Sequence, residues 1–373
     1  PSCAEEYDSD KQLFDEVKAF IHKYIGLDEC FENLAAVYVL FSWVYDCYSV
    51  LPYMRVLGDF GTGKSRFLFT IGSICYKPMT IVAAVGQAPI FRMIQRYKGT
   101  LILDEANFKN SDISSAIMQI LNAGYEKRAS VVRCDDKDYS QIIQCQVFSP
   151  KIISSREKWT DLALESRCIT WLSNTSERLE TVGMKPKEDD IPLYLDEDFD
   201  RQALNLRNKL LMFRFRNWGE KRMDITRLKY SVEPRISQIL LPLSNMTDDQ
   251  RILDEINNLA KQMNKERIED RSVQREAQIL QAIKDIEDSR EEKEEKIYFK
   301  DIAEKYNEEI KVDSKKITPQ SIGYYLRKPE LMVKLQPKDS RGKSIIGDSN
   351  SMERLYLKYG IIEPGDISEK VTM

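Results

Sequence analysis

One eight-residue stretch, Gly58-Asp59-Phe60-Gly61-Thr62-Gly63-Lys64-Ser65, sets three glycines, a lysine and a terminal hydroxyl between an apolar run (residues 54–57) and a helical run (residues 66–76). Glycines in such a loop let backbone N–H groups turn inward around an anion, and a helix that starts at its end points its positive pole at the same place. The chemistry this predicts is the binding of a nucleoside triphosphate, ATP, with Lys64 neutralising the β and γ phosphates and Ser65 ligating Mg2+. All eight residues, Gly58, Asp59, Phe60, Gly61, Thr62, Gly63, Lys64 and Ser65, are expected to line the nucleotide. A glycine turn of purely structural use is the alternative, and the strand and helix flanks argue against it.

A second constellation follows. Thr100-Leu101-Ile102-Leu103-Asp104-Glu105 reads as a buried strand ending in two carboxylates, and ligands of α/β folds sit at the carboxyl ends of parallel strands. Asp104 is expected to join Ser65 in holding the magnesium, and Glu105 to act as the base on an attacking water. That extra carboxylate favours hydrolysis over transfer to a small-molecule acceptor. Another strand, residues 151–154, leads into Ser154-Ser155-Arg156. One of Ser154 and Ser155 is expected to hold the attacking water, and the residues alone leave the choice open. Arg167, just ahead of the strand 168–172, stands where an arginine crosses a subunit boundary to a neighbour's γ-phosphate. Arg235, in Pro234-Arg235-Ile236, is expected to close over the nucleotide. An ordinary surface or salt-bridging arginine is the plainer reading of both.

These residues need a frame. Short apolar runs at 54–57, 80–84, 100–103, 151–154 and 168–172 alternate with helical stretches, the pattern of a parallel sheet with helical crossovers, so the fold class is α/β. Two helices over residues 12–50 precede the first strand, and a connection at 184–200 leads into a helix at 201–216. Between the third and fourth core strands, 129–134 and 140–148 flank the tip Asp135-Asp136-Lys137-Asp138, the pattern of an inserted β-hairpin. Its functional reading is a pore hairpin whose Lys137 meets a nucleic-acid phosphate; its plain reading is a surface hairpin. Four segments result: an N-terminal helical segment 1–52, a nucleotide-binding core 53–182, a connection and helical lid 183–265, and a final domain 266–373.

The final domain opens on a helix marked by Val273, Ala277, Leu280 and Ile283. A short strand at 297–299, helices at 302–307 and 318–326, and strand-like pieces at 332–335 and 344–347 around a turn at 338–343 follow, an order that suits a winged helix. Eight cations there, Lys315, Lys316, Arg327, Lys328, Lys334, Lys338, Arg341 and Lys343, face only Glu330 and Asp339. DNA phosphates are the expected ligands, and a solvated basic face is the alternative.

Composition narrows the classes. A chain of 373 residues exceeds the ordinary domain of about 100–200 residues. Beginning at Pro1, it reads as a fragment. Seven cysteines without a CxxC pair and a single histidine, His22, leave no zinc-ligand spacing and suit reduced thiols in a cytoplasmic protein. The longest apolar run, residues 34–45, is shorter than the roughly 20 residues that cross a bilayer, so no membrane partner is expected. A formal charge of −4 argues against coating nucleic acid with the whole surface and leaves a local basic groove open.

The phosphate loop, the Asp104-Glu105 strand end, the hairpin, Ser154-Ser155 and Ser166-Arg167 come in the order found in the AAA+ class, which the chain resembles. The hairpin is similar to that of the minichromosome-maintenance and superfamily 3 helicases. A closer likeness is to the helicase-like ATPases of plasmids, phages and mobile elements, many fused to a primase. They carry an Asn-Ala-Gly-Tyr stretch like Asn122-Ala123-Gly124-Tyr125 and an Arg-x-x-x-Ile-x-x-Pro-Leu stretch like Arg235 to Leu243. One departure is serine at 154 and 155, where the AAA+ class usually has asparagine or threonine. The resemblance implies an AAA+ core, a homo-oligomeric ring, expected to be a hexamer, with ATP between subunits, a primase domain upstream, and single-stranded or forked DNA as substrate of a replication helicase. A helicase loader or replication initiator is the second reading. A protein remodeller is a third, disfavoured because Ala83-Ala84-Val85-Gly86 lacks the aromatic residue that unfoldases present there. A non-catalytic scaffold is disfavoured by the presence of Lys64 and Glu105.

Overall fold

The computed structural model describes residues 1–81, 87–104, 112–134, 142–173, 190–219, 223–290, 296–309, 316–346 and 349–363. Of the residues singled out above, Glu105, Lys137, Lys315 and 83–86 lie outside them. The chain divides into two compact units, residues 1–261 and 262–373.

The first unit opens with two helices. Helix α1 (Asp10–Tyr24) is capped by the Ser9 hydroxyl, which accepts from the Gln12 N–H, and turns Leu13, Val17, Phe20, Ile21 and Tyr24 inward. In α2 (Glu29–Val44), capped by Asp28, residues 31–44 are all buried, because α1, α7 and α8 pack around it. Strand β1 (Tyr53–Leu57) runs into the phosphate loop and α3 (Lys64–Ile74). After β2 (Met79–Ile81), α4 (Gln87–Tyr97), β3 (Leu101–Leu103) and α5 (Asp112–Ala123), the strands β4 (Val131–Cys134) and β5 (Ile142–Cys145) form an antiparallel pair of their own. Strand β6 (Lys151–Ser155), the short α6 (Leu162–Glu165) and β7 (Cys168–Leu172) complete the core. Helices α7 (Glu197–Asn217) and α8 (Pro234–Ser244) then return to α2, and α9 (Gln250–Ser272) follows.

All five core strands are parallel, in the order β2-β3-β6-β1-β7. Their carboxyl ends therefore share one edge. Leu57 stands opposite Ser155 and Leu172, and Leu103 opposite Ile153. The sequence segments 1–52, 53–182 and most of 183–265 thus fall in one unit. The reason is α2, which has no solvent face on which a domain boundary could form.

The second unit has a hydrophobic core of its own. Helix α10 (Arg275–Asp288) buries Ala277, Leu280 and Ile283, but Val273 precedes it and is 75% exposed, so the expected helix begins later than its apolar spacing implied. Strand β8 (Ile297–Tyr298) leads into α11 (Phe299–Glu309), and α12 (Pro319–Tyr325) starts at the Thr318 cap, whose hydroxyl accepts from the Ser321 N–H. Strand β9 (Ser344–Ile345) pairs antiparallel with β8. The expected strand at 332–335 contributes only one bridge, Leu335 to Ile345; Met332 has φ +48° and is exposed, which breaks an extended run. A last helix, α13 (Ser349–Lys358), unforeseen in the sequence, adds Met352 and Tyr356 to this unit's core, with the Tyr356 hydroxyl donating to Glu287 at 2.9 Å.

Candidate nucleotide site at the sheet edge

At the end of β1 the chain cannot continue straight with a side chain. A Cβ on Gly58 would lie 2.5 Å from Thr62 Oγ1 and 3.0 Å from Ser173 Cβ. Gly61 and Gly63 adopt φ of +74° and +85° with open space around them, so there the backbone conformation itself selects glycine. Gly63 is the residue before α3 and offers no side-chain cap, which leaves first-turn N–H groups of the helix without a capping partner from it, as an anion site requires. Lys64 is buried and folded back, its Nζ donating to the Asp59 carbonyl at 2.5 Å. The Thr62 hydroxyl donates to the same carbonyl at 2.9 Å, and Ser173 donates to the Thr62 carbonyl. Phe60 is exposed beneath the Arg156 guanidinium, 3.6 Å from its ring centre.

Because β6 lies between β1 and β3, the ends of all three meet. The Asp104 carboxylate accepts from Ser65 Oγ at 3.0 Å on one oxygen and from Ser154 Oγ at 2.8 Å on the other. The two serines left open by the sequence are thereby distinguished. Ser154 faces Asp104, whereas Ser155 offers its carbonyl to the Gly58 N–H at 3.3 Å and its buried hydroxyl has no hydrogen-bond partner among the described residues. Ser65 and Asp104 form an all-oxygen donor pair, the chemistry a hard cation such as Mg2+ takes, with phosphates and water completing the shell. No cluster of three or more His, Cys, Asp or Glu side chains suited to a metal occurs among the described residues.

With this geometry established, comparison adds little from sequence: no family model matches the chain, and no curated protein matches it. Solved structures do. The chain is similar to the apo structure of the NrS-1 C-terminal region, at TM-score 0.42 and 14% identity over 92% of this chain and 77% of that one. It is also similar to JCV helicase, at TM-score 0.32 and 11% identity over 69% of this chain and 62% of that one. This chain thus spans somewhat under two thirds of the JCV helicase chain.

The two arginines do not join the phosphate loop of their own chain. Arg167 precedes β7, and its carbonyl accepts from the Tyr53 N–H at 3.0 Å, which puts it at the amino ends of the strands. A five-residue strand of roughly 16 Å separates it from the loop. It is 7% exposed, donates to Asn122 Oδ1 and lies 4.2 Å from the Tyr125 ring centre. Arg235 is 4.7 Å from the same ring, and donates to Gln238 at 3.0 Å. Arg235, at the start of α8, stands beside Arg167 at the Tyr125 ring, away from the phosphate loop of its own chain. Both arginines lie against the Tyr125 ring of the Asn122–Tyr125 turn.

Two buried cations escaped the sequence reading. Arg55, in the middle of β1 and 1% exposed, donates to Glu165 at 2.6 Å through Nη1 and to Thr170 Oγ1 at 2.9 Å. Lys151, the first residue of β6, is fully buried, and its Nζ donates to the carbonyls of Gly124, Val147 and Ser149 at 3.1, 3.2 and 2.8 Å. Burial pulls the Lys151 pKa well below the usual lysine value, while three carbonyl acceptors favour the ammonium. The available signal was a charge inside an otherwise apolar strand, which in a sheet covered on both faces demands a partner.

In the second unit, a cavity of about 430 Å³ is lined by Lys300, Arg327, Lys338, Arg341 and Lys343 over the edge of Phe299. The sequence-derived cations divide here. Arg327, Arg341, Lys343 and Lys338 converge on the cavity, joined by Lys300, which had not been singled out. Lys328 instead donates to Glu276 at 2.7 Å and lies 4.6 Å from the Tyr325 ring centre, so its charge is already paired; Lys316 and Lys334 are exposed and outside the cavity lining. Among the described residues no helix is long and apolar enough to cross a membrane.

Proposed function

We propose that this chain is the ATP-hydrolysing motor of a DNA helicase or translocase of AAA+ type, working as a homo-oligomeric ring in the replication of a mobile element. The observation that carries the reading is the Asp104 carboxylate, tied on one side to the phosphate-loop Ser65 and on the other to Ser154 of the intervening strand. Three parallel strand ends thereby bring an anion-binding loop, a cation ligand and a hydroxyl to one edge. When bound, Mg2+ would neutralise phosphate charge there. Lys64, now bonded to the Asp59 carbonyl, would bind the β and γ phosphates; Ser65 and Asp104 would hold the cation; Ser154 orients Asp104. Glu105 takes the proton of the attacking water.

In this reading Arg167 and Arg235, remote from their own loop, act on the nucleotide of the next subunit, where a guanidinium stabilises the charge of the transferring phosphoryl group. Strands β4 and β5 belong to an inserted element that tracks one DNA strand, with Lys137 as its phosphate contact. The second unit is a winged helix, whose cationic cavity takes DNA phosphates.

The test is steady-state ATP hydrolysis with and without single-stranded and forked DNA, together with strand displacement, for the wild type, Asp104→Asn and Glu105→Gln. The expected result is DNA-stimulated hydrolysis and unwinding in the wild type, with turnover lowered by on the order of 10²–10³ in either variant. Hydrolysis indifferent to DNA would move the chain to a loader or initiator, and no hydrolysis at all would overturn the reading.

A further inference from the structure

The buried Lys151 has no part in nucleotide chemistry, yet its three donors reach two different pieces of chain. An ammonium has three N–H bonds, and here each meets a backbone carbonyl: Gly124 in the turn after α5, and Val147 and Ser149 in the segment leading from β5 to β6. The Tyr53 ring lies 4.9 Å below it, and the Tyr53 hydroxyl donates to the Leu121 carbonyl at 2.7 Å. Gly124 is required by this contact. A Cβ there would stand 2.4 Å from Lys151 Nζ and 2.5 Å from the carbonyls of Ile120 and Val147.

The turn so held is the one that orients both arginines. Asn122 Oδ1 accepts from Arg167 while its amide donates to Asp161 at 3.3 Å, and the Tyr125 ring lies under both guanidinium groups. Asn122 and Tyr125 hold the arginines, and Gly124 makes room for the lysine. On its other side Lys151 grips the root of the β4–β5 pair, where Val147 is fully buried.

We infer that Lys151 is a positioning residue that locks the root of the β4–β5 hairpin to the Asn122–Tyr125 turn, so that displacement of the hairpin moves the Arg167–Arg235 pair. This rests on the proposed motor reading for its use: DNA engaged by the hairpin would alter how the arginines meet a neighbour's nucleotide. The physical link itself does not depend on that use. Backbone carbonyls around a buried ammonium cannot separate without leaving donors and acceptors unpaired, so the two segments open together or not at all.

Two measurements decide it. The first needs neither a variant nor DNA: native-state hydrogen exchange of the full chain in rising urea, where residues 122–125 and 146–149 are expected to open as one unit. Independent opening of the two segments overturns the inference. The second compares wild type, Lys151→Met, Arg167→Ala and the double variant for ATP KM and for stimulation by single-stranded DNA. Lys151→Met is expected to keep the ATP KM and lose stimulation at least about 5-fold, the lower end of ordinary coupling between sites, with no further loss on adding Arg167→Ala. Additive losses, or stimulation retained in Lys151→Met, would overturn it. A wild type that DNA does not stimulate would sink the motor reading, and the exchange experiment would still judge the lock.

Discussion

The phosphate loop and the buried cations behind it belong to the same five-stranded sheet and are built on opposite rules. At the carboxyl edge, Gly58 to Ser65 is largely exposed, two of its glycines are left-handed, and Lys64 rests on a carbonyl of the loop itself. Within and below the sheet, Arg55, Lys151 and Arg167 are 1%, 0% and 7% exposed and are tied to carboxylate, carbonyl or amide oxygens of other segments. A cation meant for a ligand is held by a partner it can exchange. A cation meant to hold the fold has its donors engaged in low-dielectric surroundings, where an unpaired charge is costly.

The sharpest attack on the buried side is Arg55→Met. It leaves the Glu165 carboxylate without its bidentate partner, and the loss of a buried ion-pair member costs about 3–5 kcal/mol. A drop in Tm on the order of 10 °C is expected by calorimetry; a change of a degree or two would show that the pair contributes nothing beyond what methionine packing supplies. On the open side, Gly63→Ala should act mainly on ligand binding. Its φ of +85° costs an L-residue about 1–2 kcal/mol, which would raise the ATP KM several-fold, while an unchanged KM would mean that the loop relaxes to another shape when it binds. The smallest effect is expected from Ser155→Ala, because its hydroxyl is buried without a hydrogen-bond partner among the described residues. Stability should stay within about 0.5 kcal/mol of wild type in urea titrations, whereas Ser154→Ala should lower turnover through Asp104; the reverse pattern would exchange the two serines' roles.

The glycine-rich turn between β1 and α3 was legible because its backbone requirements are local. Three glycines, a lysine and a hydroxyl within eight residues, between a strand and a helix, can do little else with those backbone conformations. The parallel strands were legible for the related reason that β-branched and aliphatic runs buried on both faces stand out from helical periodicity. The second unit was less so. Its strands are two residues long, α13 lay unnoticed beyond them, and Val273 matched a helical spacing that the chain does not use.

Sequence by itself determined the glycine-rich turn from β1 into α3, the strand that ends at Asp104 and the helix–strand alternation around them, since each depends on neighbours a few residues apart. Tertiary structure alone decided which serine meets Asp104, that Arg235 stands with Arg167 at the far end of the sheet, and that Lys151 joins Gly124 to Val147. Those contacts link residues separated by 50 positions between Asp104 and Ser154 and by 27 between Gly124 and Lys151. They follow from strand order, which places β6 between β1 and β3 and which no local pattern sets.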